Sequence, residues 1–285
     1  MATTGTAKLR DMNHVIECLR RGEVVFGVFA TSRDADAAIE MARNPDWDFV
    51  FYDMEHAPFD VEGFRRYLQF LLDPAALRAQ GPTPRFRPVL ARVPAYGREP
   101  GQWMAKQVLD QGAHGVIVPH IENGAQALQF VRGLRYPHQP GCADAAPDGQ
   151  RGFGAQHAAR YWGLTPTDYQ RVADLWPLDP DGQLLSMALV ENPNGVDHID
   201  EIVRTPGLSV VTAAPGDIGV SYGDPTAAEA AIQRVRAACQ AAGVACGMTA
   251  GPQDVARRVA EGFSVIMVTN ADALRLGRAA AGRVS

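Results

Sequence analysis

The chain has 285 residues, 46% hydrophobic and 21% charged, with a formal net charge of -5 and a pI near 5.8. This is ordinary globular composition with no basic stripe for a phosphate backbone, so nucleic acid is excluded as the expected partner. No run approaches the roughly 18 apolar residues of a membrane-spanning helix, and Arg10, Asp11, His14, Glu17 and Arg20 stand where a signal peptide would be apolar; a soluble, cytoplasmic protein is expected, with no membrane partner.

An amphipathic helix is expected over residues 7–21, and strand-like runs then alternate with helical patterns to the end of the chain. The strands are placed at 24–30, 48–55, 87–93, 115–121, 184–192, 208–217, 243–250 and 263–270. Helical spacing of apolar residues follows each, at 34–44, 61–73, 99–112, 123–136, 195–205, 225–243, 253–262 and 271–282. Eight such units predict an α/β fold, a TIM-type (β/α)8 barrel with an additional N-terminal helix, spanning 1–285 as a single domain. An open doubly wound sheet is the alternative, but it would carry a Gly-rich phosphate loop after an early strand. RGFGAQ at 151–156 is not G-x-G-x-x-G and precedes no convincing helix. The stretches 73–87 and 137–183 exceed what a barrel needs and read as lids or oligomer contacts. Cys18, Cys142, Cys239 and Cys246 have no C-x-x-C spacing, and reduced thiols are expected.

In such a barrel, chemistry sits at the C-terminal ends of the strands. Asp53, Glu55 and His56 end the second strand, Arg92 the third, His120 the fourth, Glu191 and Asn192 the fifth and Asp217 the sixth. Carboxylates crowded at one rim repel each other unless a cation holds them. Glu191 and Asp217, on adjacent strands, are the natural pair, and two carboxylates with open positions suit Mg or Mn, with Co as a further possibility. The alternative for each carboxylate is that it caps the helix that follows. His120 is open between a pocket-lining, a core and a solvent-facing place, and His157 and Trp162 are candidates for shaping the same mouth.

The segments DMEHAPFD (53–60), VLARVP (89–94), RGFG (151–154), ALVEN (188–192) and APGDIGVSYG (214–223) resemble, in this order, the HpcH/HpaI family of class II 2-oxo acid aldolases. The combination of D-x-E-H after the second strand with P-x-D-I after the sixth is the specific part. The resemblance implies that Glu191 and Asp217 ligate the metal and that His56 with Asp53 forms an acid/base dyad. It implies that Arg92 binds the ketone oxygen, that backbone amides around Gly216 and Asp217 hold the substrate carboxylate, and that Glu55 lies near the metal's water shell. It further implies a homo-oligomer, a hexamer, with the last helix (271–283) exchanged or packed between subunits. Leu189 stands where the family often has Gln, and the insertions at 73–87 and 138–149 depart from its pattern.

The activity so implied is reversible cleavage of a 4-hydroxy-2-oxo acid to pyruvate, or a related 2-oxo acid, plus an aldehyde. A lysine Schiff base is excluded: among 27 basic residues only Lys8, in the leading helix, and Lys106, on an outer helix, are lysines. Two rivals share the architecture, an oxaloacetate-type decarboxylase (macrophomate synthase-like) and a citrate lyase β-like CoA-ester lyase. The latter needs a basic groove at the mouth, for which only Arg85 and Arg87 offer themselves. A non-enzymatic metabolite-binding barrel is the alternative of a different class.

Overall fold

The computed structural model describes residues 12–80, 86–95, 101–138 and 146–283. Within them β1 (Val25–Phe29), β2 (Phe49–Asp53), β3 (Val89–Arg92), β4 (Gly115–Val118), β5 (Leu185–Val190), β6 (Val210–Ala213), β7 (Ala245–Ala250) and β8 (Val265–Val268) pair in chain order. Every pairing is parallel, and β8 pairs back onto β1 to close the barrel. Both faces of each strand are buried, which is why the strands read as continuous apolar runs.

Alternation sorts the side chains into two layers. Phe49, Phe51, Leu90, Ile117, Leu185, Met187, Leu189, Val210, Val265 and Met267 fill the barrel. Val50, Tyr52, Val89, Ala91, Val116, Ala188, Val190, Val211 and Ile266 face the helices. Gly27 is required by this packing, since a Cβ there would come within 2.2 Å of the Phe49 ring. Carried one step further, the inward series Phe49, Phe51 brings Asp53 to the inside, Leu90 brings Arg92, and Leu185, Met187, Leu189 brings Glu191.

The surrounding helices are α1 (His14–Arg20), α2 (Ala35–Arg43), α3 (Val61–Phe70), α4 (Pro74–Gln80), α5 (Gln102–Gln111), α6 (Gly124–Leu134), α7 (Gln156–Trp162) and α8 (Pro166–Val172). They continue with α9 (Pro193–Asp197), α10 (Ile199–Ile202), α11 (Pro215–Tyr222), α12 (Pro225–Ala242), α13 (Val255–Glu261) and α14 (Ala271–Ala280). The leading helix begins later than the apolar spacing suggests. Asn13 caps it, accepting from the N–H groups of Val15 and Ile16, and also bridges to Phe86. Val15, Ile16 and Cys18 of α1 belong to the barrel-filling cluster and seal its base.

Three other expectations need correction. The segment 73–87 contains α4. The segment 137–183 contains α7, directly after RGFGAQ, and α8. Neither α7 nor α8 is a lid: Ala155, Ala158, Ala159 and Trp162 recur at helical spacing on a buried face, and Tyr169 and Val172 continue it. Tyr169 donates to the Leu109 carbonyl at 3.2 Å, and Arg135 pairs with Asp174 through two bonds of 2.7 and 2.8 Å, fixing the insertion to the barrel wall. The sixth strand stops at Ala213, because Pro215 has no N–H to offer a ladder and takes the first position of α11 instead. Within the chain, α14 packs on β1 and β8, with Gly277 against the Phe26 ring. Cys18, Cys239 and Cys246 are free and buried, and Cys142 lies outside the described residues. No helix among the described residues is long and apolar enough to cross a membrane.

Candidate active site

Asp53 and Arg92 are register partners on β2 and β3, so two inward side chains of opposite charge meet at the mouth. Arg92 grips Asp53 in a fork, Nε to Oδ1 at 2.8 Å and a terminal nitrogen to Oδ2 at 2.6 Å, while its other terminal nitrogen stands 3.0 Å from Glu55 Oε2. Burial disfavours the Asp53 carboxylate, but the bonds from Arg92 and from the Glu55 and His56 amides outweigh it and hold its pKa below the usual carboxylate range. The Arg92 guanidinium also lies 5.2 Å from the centre of the Phe51 ring.

His56 is placed differently from the expected dyad. Asp53 reaches it through its backbone N–H at 3.4 Å, whereas the ring, 65% exposed, has Nε2 3.7 Å from Glu55 Oε2. The reason is competition: both Asp53 oxygens are already held by Arg92. Any coupling of Asp53 to the imidazole therefore runs through the turn, with Glu55 as the carboxylate beside the ring.

Glu191 follows β5 directly and its side chain is only 2% exposed. It accepts from the His120 backbone N–H at 2.7 Å, and His120 Nδ1 is 3.2 Å from the same oxygen. Burial pushes its pKa up, and the charges of Asp217 and Glu55 push the same way against the opposing effect of His120. Leu189, the preceding inward residue, makes the floor apolar where a Gln would have been polar. Glu191 caps no helix; Asn192 takes that part for α9.

Asp217 lies in the first turn of α11 rather than on a strand, and it is exposed. Ser221, one turn on, donates to the Glu191 carbonyl at 3.2 Å and ties this helix to the end of β5. A Cβ at Gly216 would meet nothing within 4 Å, so the main chain there is open to an approaching group. Amides in the first turn of a helix have no carbonyl of their own helix to bond and favour anions.

The Arg92 guanidinium thus meets Asp53 and Glu55, while Glu191 has the like charges of Asp217 and Glu55 near it. A buried carboxylate whose ionised form is disfavoured, with like charges as neighbours, is chemically suited to a divalent cation, and an all-oxygen pair suits Mg or Mn. Among the described residues, a tighter trio of potential ligand atoms is His14, Cys18 and Asp48. It lies at the opposite end of the barrel, and Asp48 already has its cation: Arg283 meets both oxygens at 2.7 Å, and His14 and the Phe26 amide take the rest.

Several candidates fall away from the mouth. Trp162 is fully buried, donates to the Gly112 carbonyl at 3.0 Å and stacks on His114, both beside the start of β4; His157 is exposed on α7. Arg87 lies over the Trp47 ring and donates to the Asn44 and Ala42 carbonyls; Arg85 lies outside the described residues. Arg87 is thus engaged away from the mouth. One contributor, Arg33, is absent from the sequence reading, and a second, His120, stays open there. Arg33, in the loop after β1, donates to the Asp53 carbonyl and lies 5.0 Å from the Tyr52 ring. His120 touches Glu191 only because its backbone is left-handed, for which the sequence offers no more than the preceding Pro119.

The HpcH/HpaI aldolase/citrate lyase family model matches residues 25–271. The 2-keto-3-deoxy-L-rhamnonate aldolase of Escherichia coli strain K12 is 32% identical over 237 residues, 80% of this chain and 76% of that protein. The crystal structure of an HpcH/HpaI aldolase/citrate lyase family protein from Burkholderia cenocepacia J2315 superposes with a TM-score of 0.71 at 30% identity, covering 94% of this chain and 96% of that one. Macrophomate synthase shares the fold, with a TM-score of 0.64 at 22% identity over 92% of this chain and 82% of its own. The chain belongs to the HpcH/HpaI aldolase/citrate lyase family and is a carbon–carbon lyase.

Proposed function

We propose that the chain cleaves, reversibly and with a divalent metal ion, a 4-hydroxy-2-oxo acid to pyruvate or a related 2-oxo acid plus an aldehyde. The observation that carries this is Glu191: a carboxylate buried at the mouth whose charge is opposed by burial, Asp217 and Glu55. Glu191 and Asp217 hold the ion, Mg or Mn. When bound, it supplies Lewis-acid stabilisation of charge on the substrate's oxygens.

The remaining work falls to the chain. First-turn amides at Gly216 and Asp217 bind the substrate carboxylate. Arg92, its plane fixed by Asp53, turns its remaining N–H groups toward the ketone oxygen. His56 takes the proton of the 4-hydroxyl; the C3–C4 bond breaks, its electrons pass to the ketone, and the 2-oxo acid enolate is then protonated at C3. Glu55, 3.7 Å from the ring, is the carboxylate placed beside it.

Pyruvate release from 4-hydroxy-2-oxo acids, compared with decarboxylation of oxaloacetate, with Mg or Mn and after EDTA, tests the reading. Metal-dependent aldol cleavage with slower decarboxylation is expected; the reverse ranking makes the chain an oxaloacetate-type decarboxylase. Metal-stimulated exchange of pyruvate methyl protons, followed by NMR, should accompany cleavage. Arg92→Ala is expected to lower kcat by about 10²- to 10³-fold, the cost of one preorganised donor. Arg92→Lys should not recover it, because a single ammonium cannot hold Asp53 by two parallel bonds and reach Glu55 as well. Parental kcat in the Lys variant would remove Arg92 from this role.

The reading includes a homo-oligomeric state, a hexamer by family likeness, which light scattering on the purified chain checks.

A further inference from the structure

Among the described non-glycine residues, His120 has a left-handed backbone, with φ at 56°. A residue bearing a Cβ adopts that region only when its surroundings impose it. Here the ladder between β4 and β5 imposes it. Val118 pairs opposite Ala188, and pairing resumes at Ile121, whose N–H donates to the Leu189 carbonyl at 3.0 Å. Pro119, which has no N–H, and His120 bulge out between these two points.

The bulge has a chemical result. The His120 N–H leaves the ladder and donates to Glu191 Oε2 at 2.7 Å, and Nδ1 of the same residue stands 3.2 Å from that same oxygen. The far ring nitrogen, Nε2, is 3.9 Å from Glu55 Oε1. A backbone donor and a ring nitrogen of one residue therefore stand against one carboxylate oxygen, and Oε1 of Glu191 is the oxygen they leave.

We propose that His120 is a positioning residue that clamps Glu191 Oε2 between its backbone N–H and Nδ1, so that Oε1 is the oxygen offered to the divalent ion. The proposal rests on Glu191 being an ion ligand, as argued above. Partners that orient a metal-binding side chain are typically worth 10- to 100-fold in metal affinity.

The test is a titration of the full chain with Mn2+, followed by the EPR signal of the free ion, in the parent and in His120→Gly, His120→Asn and Glu191→Gln. Glycine keeps the left-handed turn and its N–H but has no ring, so Mn2+ affinity should fall roughly tenfold or more. Asparagine tolerates the same backbone and carries a side-chain N–H, and should recover most of the loss. Thermal melting of each variant confirms the fold. If His120→Gly binds Mn2+ within twofold of the parent while Glu191→Gln has lost it, the positioning role is overturned and the ligand assignment stands. If Glu191→Gln also keeps parental affinity, the assignment falls and takes the positioning role with it.

Discussion

Replacing Glu191 by glutamine is expected to abolish metal-dependent turnover and, in the metal-free protein at neutral pH, to make the fold harder to unfold. Both effects have one origin. Burial raises the Glu191 pKa, so the folded state favours the protonated carboxyl. A carboxyl raised in this way contributes stability below its unfolded pKa, near 4.3, and that contribution is lost as pH rises through the folded value. At pH 7 the ionised form is a burden that the neutral amide lacks, while the amide oxygen still accepts from the His120 N–H. Loss of the ion should lower kcat/KM by at least about a thousandfold, roughly 4 kcal/mol of transition-state stabilisation. Asp217→Ala should lose the ion similarly but change stability little, since Asp217 is exposed. Pyruvate release with saturating Mn2+, beside urea midpoints in EDTA, reads the two effects separately. Full metal-dependent activity in both variants would end the ligand assignment.

A second large effect is expected far from the mouth, at His114. The ring is wholly buried at the start of β4, stacked on Trp162 at 5.0 Å and beside Phe86, and its Nδ1 accepts from the Val89 N–H at 3.3 Å. Burial pushes its pKa from 6.5 down to about 3. Between those values the unfolded chain carries a proton that the folded chain does not, so stability falls as pH drops through the window; above 6.5 both states are neutral and the group contributes no slope. Each pH unit below the unfolded pKa is worth up to about 1.4 kcal/mol, so lowering the pH from 6.5 to 4.5 should remove roughly 2 kcal/mol. His114→Asn keeps an acceptor for Val89 and cannot titrate. Its urea midpoint should be nearly flat over the interval in which the parent's declines, and parallel profiles would show that His114 is not the source.

The barrel was legible because its strands are apolar on both faces and its helices on one, so that period and composition agree at each of the eight units. All eight strands lie inside the ranges read from the sequence, with ragged ends where loop residues such as Asn192 and Pro215 look apolar or extended but serve helix starts. The insertion after α6 was obscured by composition: prolines and glycines drew attention from Ala155, Ala158, Ala159 and Trp162, whose spacing already marks a buried helical face. At the site, the inward positions of Asp53, Arg92 and Glu191 follow from alternation alone. Pairings do not. That Arg92 would occupy both oxygens of Asp53, leaving the His56 ring beside Glu55, depends on side-chain reach across two strands and a turn. The left-handed turn at His120 is likewise a product of register between β4 and β5, which no local pattern encodes.

The plugged interior dictates a direction of traffic. With Phe49, Met187 and Met267 filling the bore and Val15 and Ile16 stopping its lower end, the described residues leave no passage through the barrel, so reactants would come and go at the mouth. With the 2-oxo acid held at Glu191 and Arg92 as proposed, it would lie innermost, with the aldehyde outside it. On that placement the aldehyde would depart first in cleavage and the keto acid last, and in synthesis the keto acid would enter before its partner, an ordered sequence imposed by a cul-de-sac.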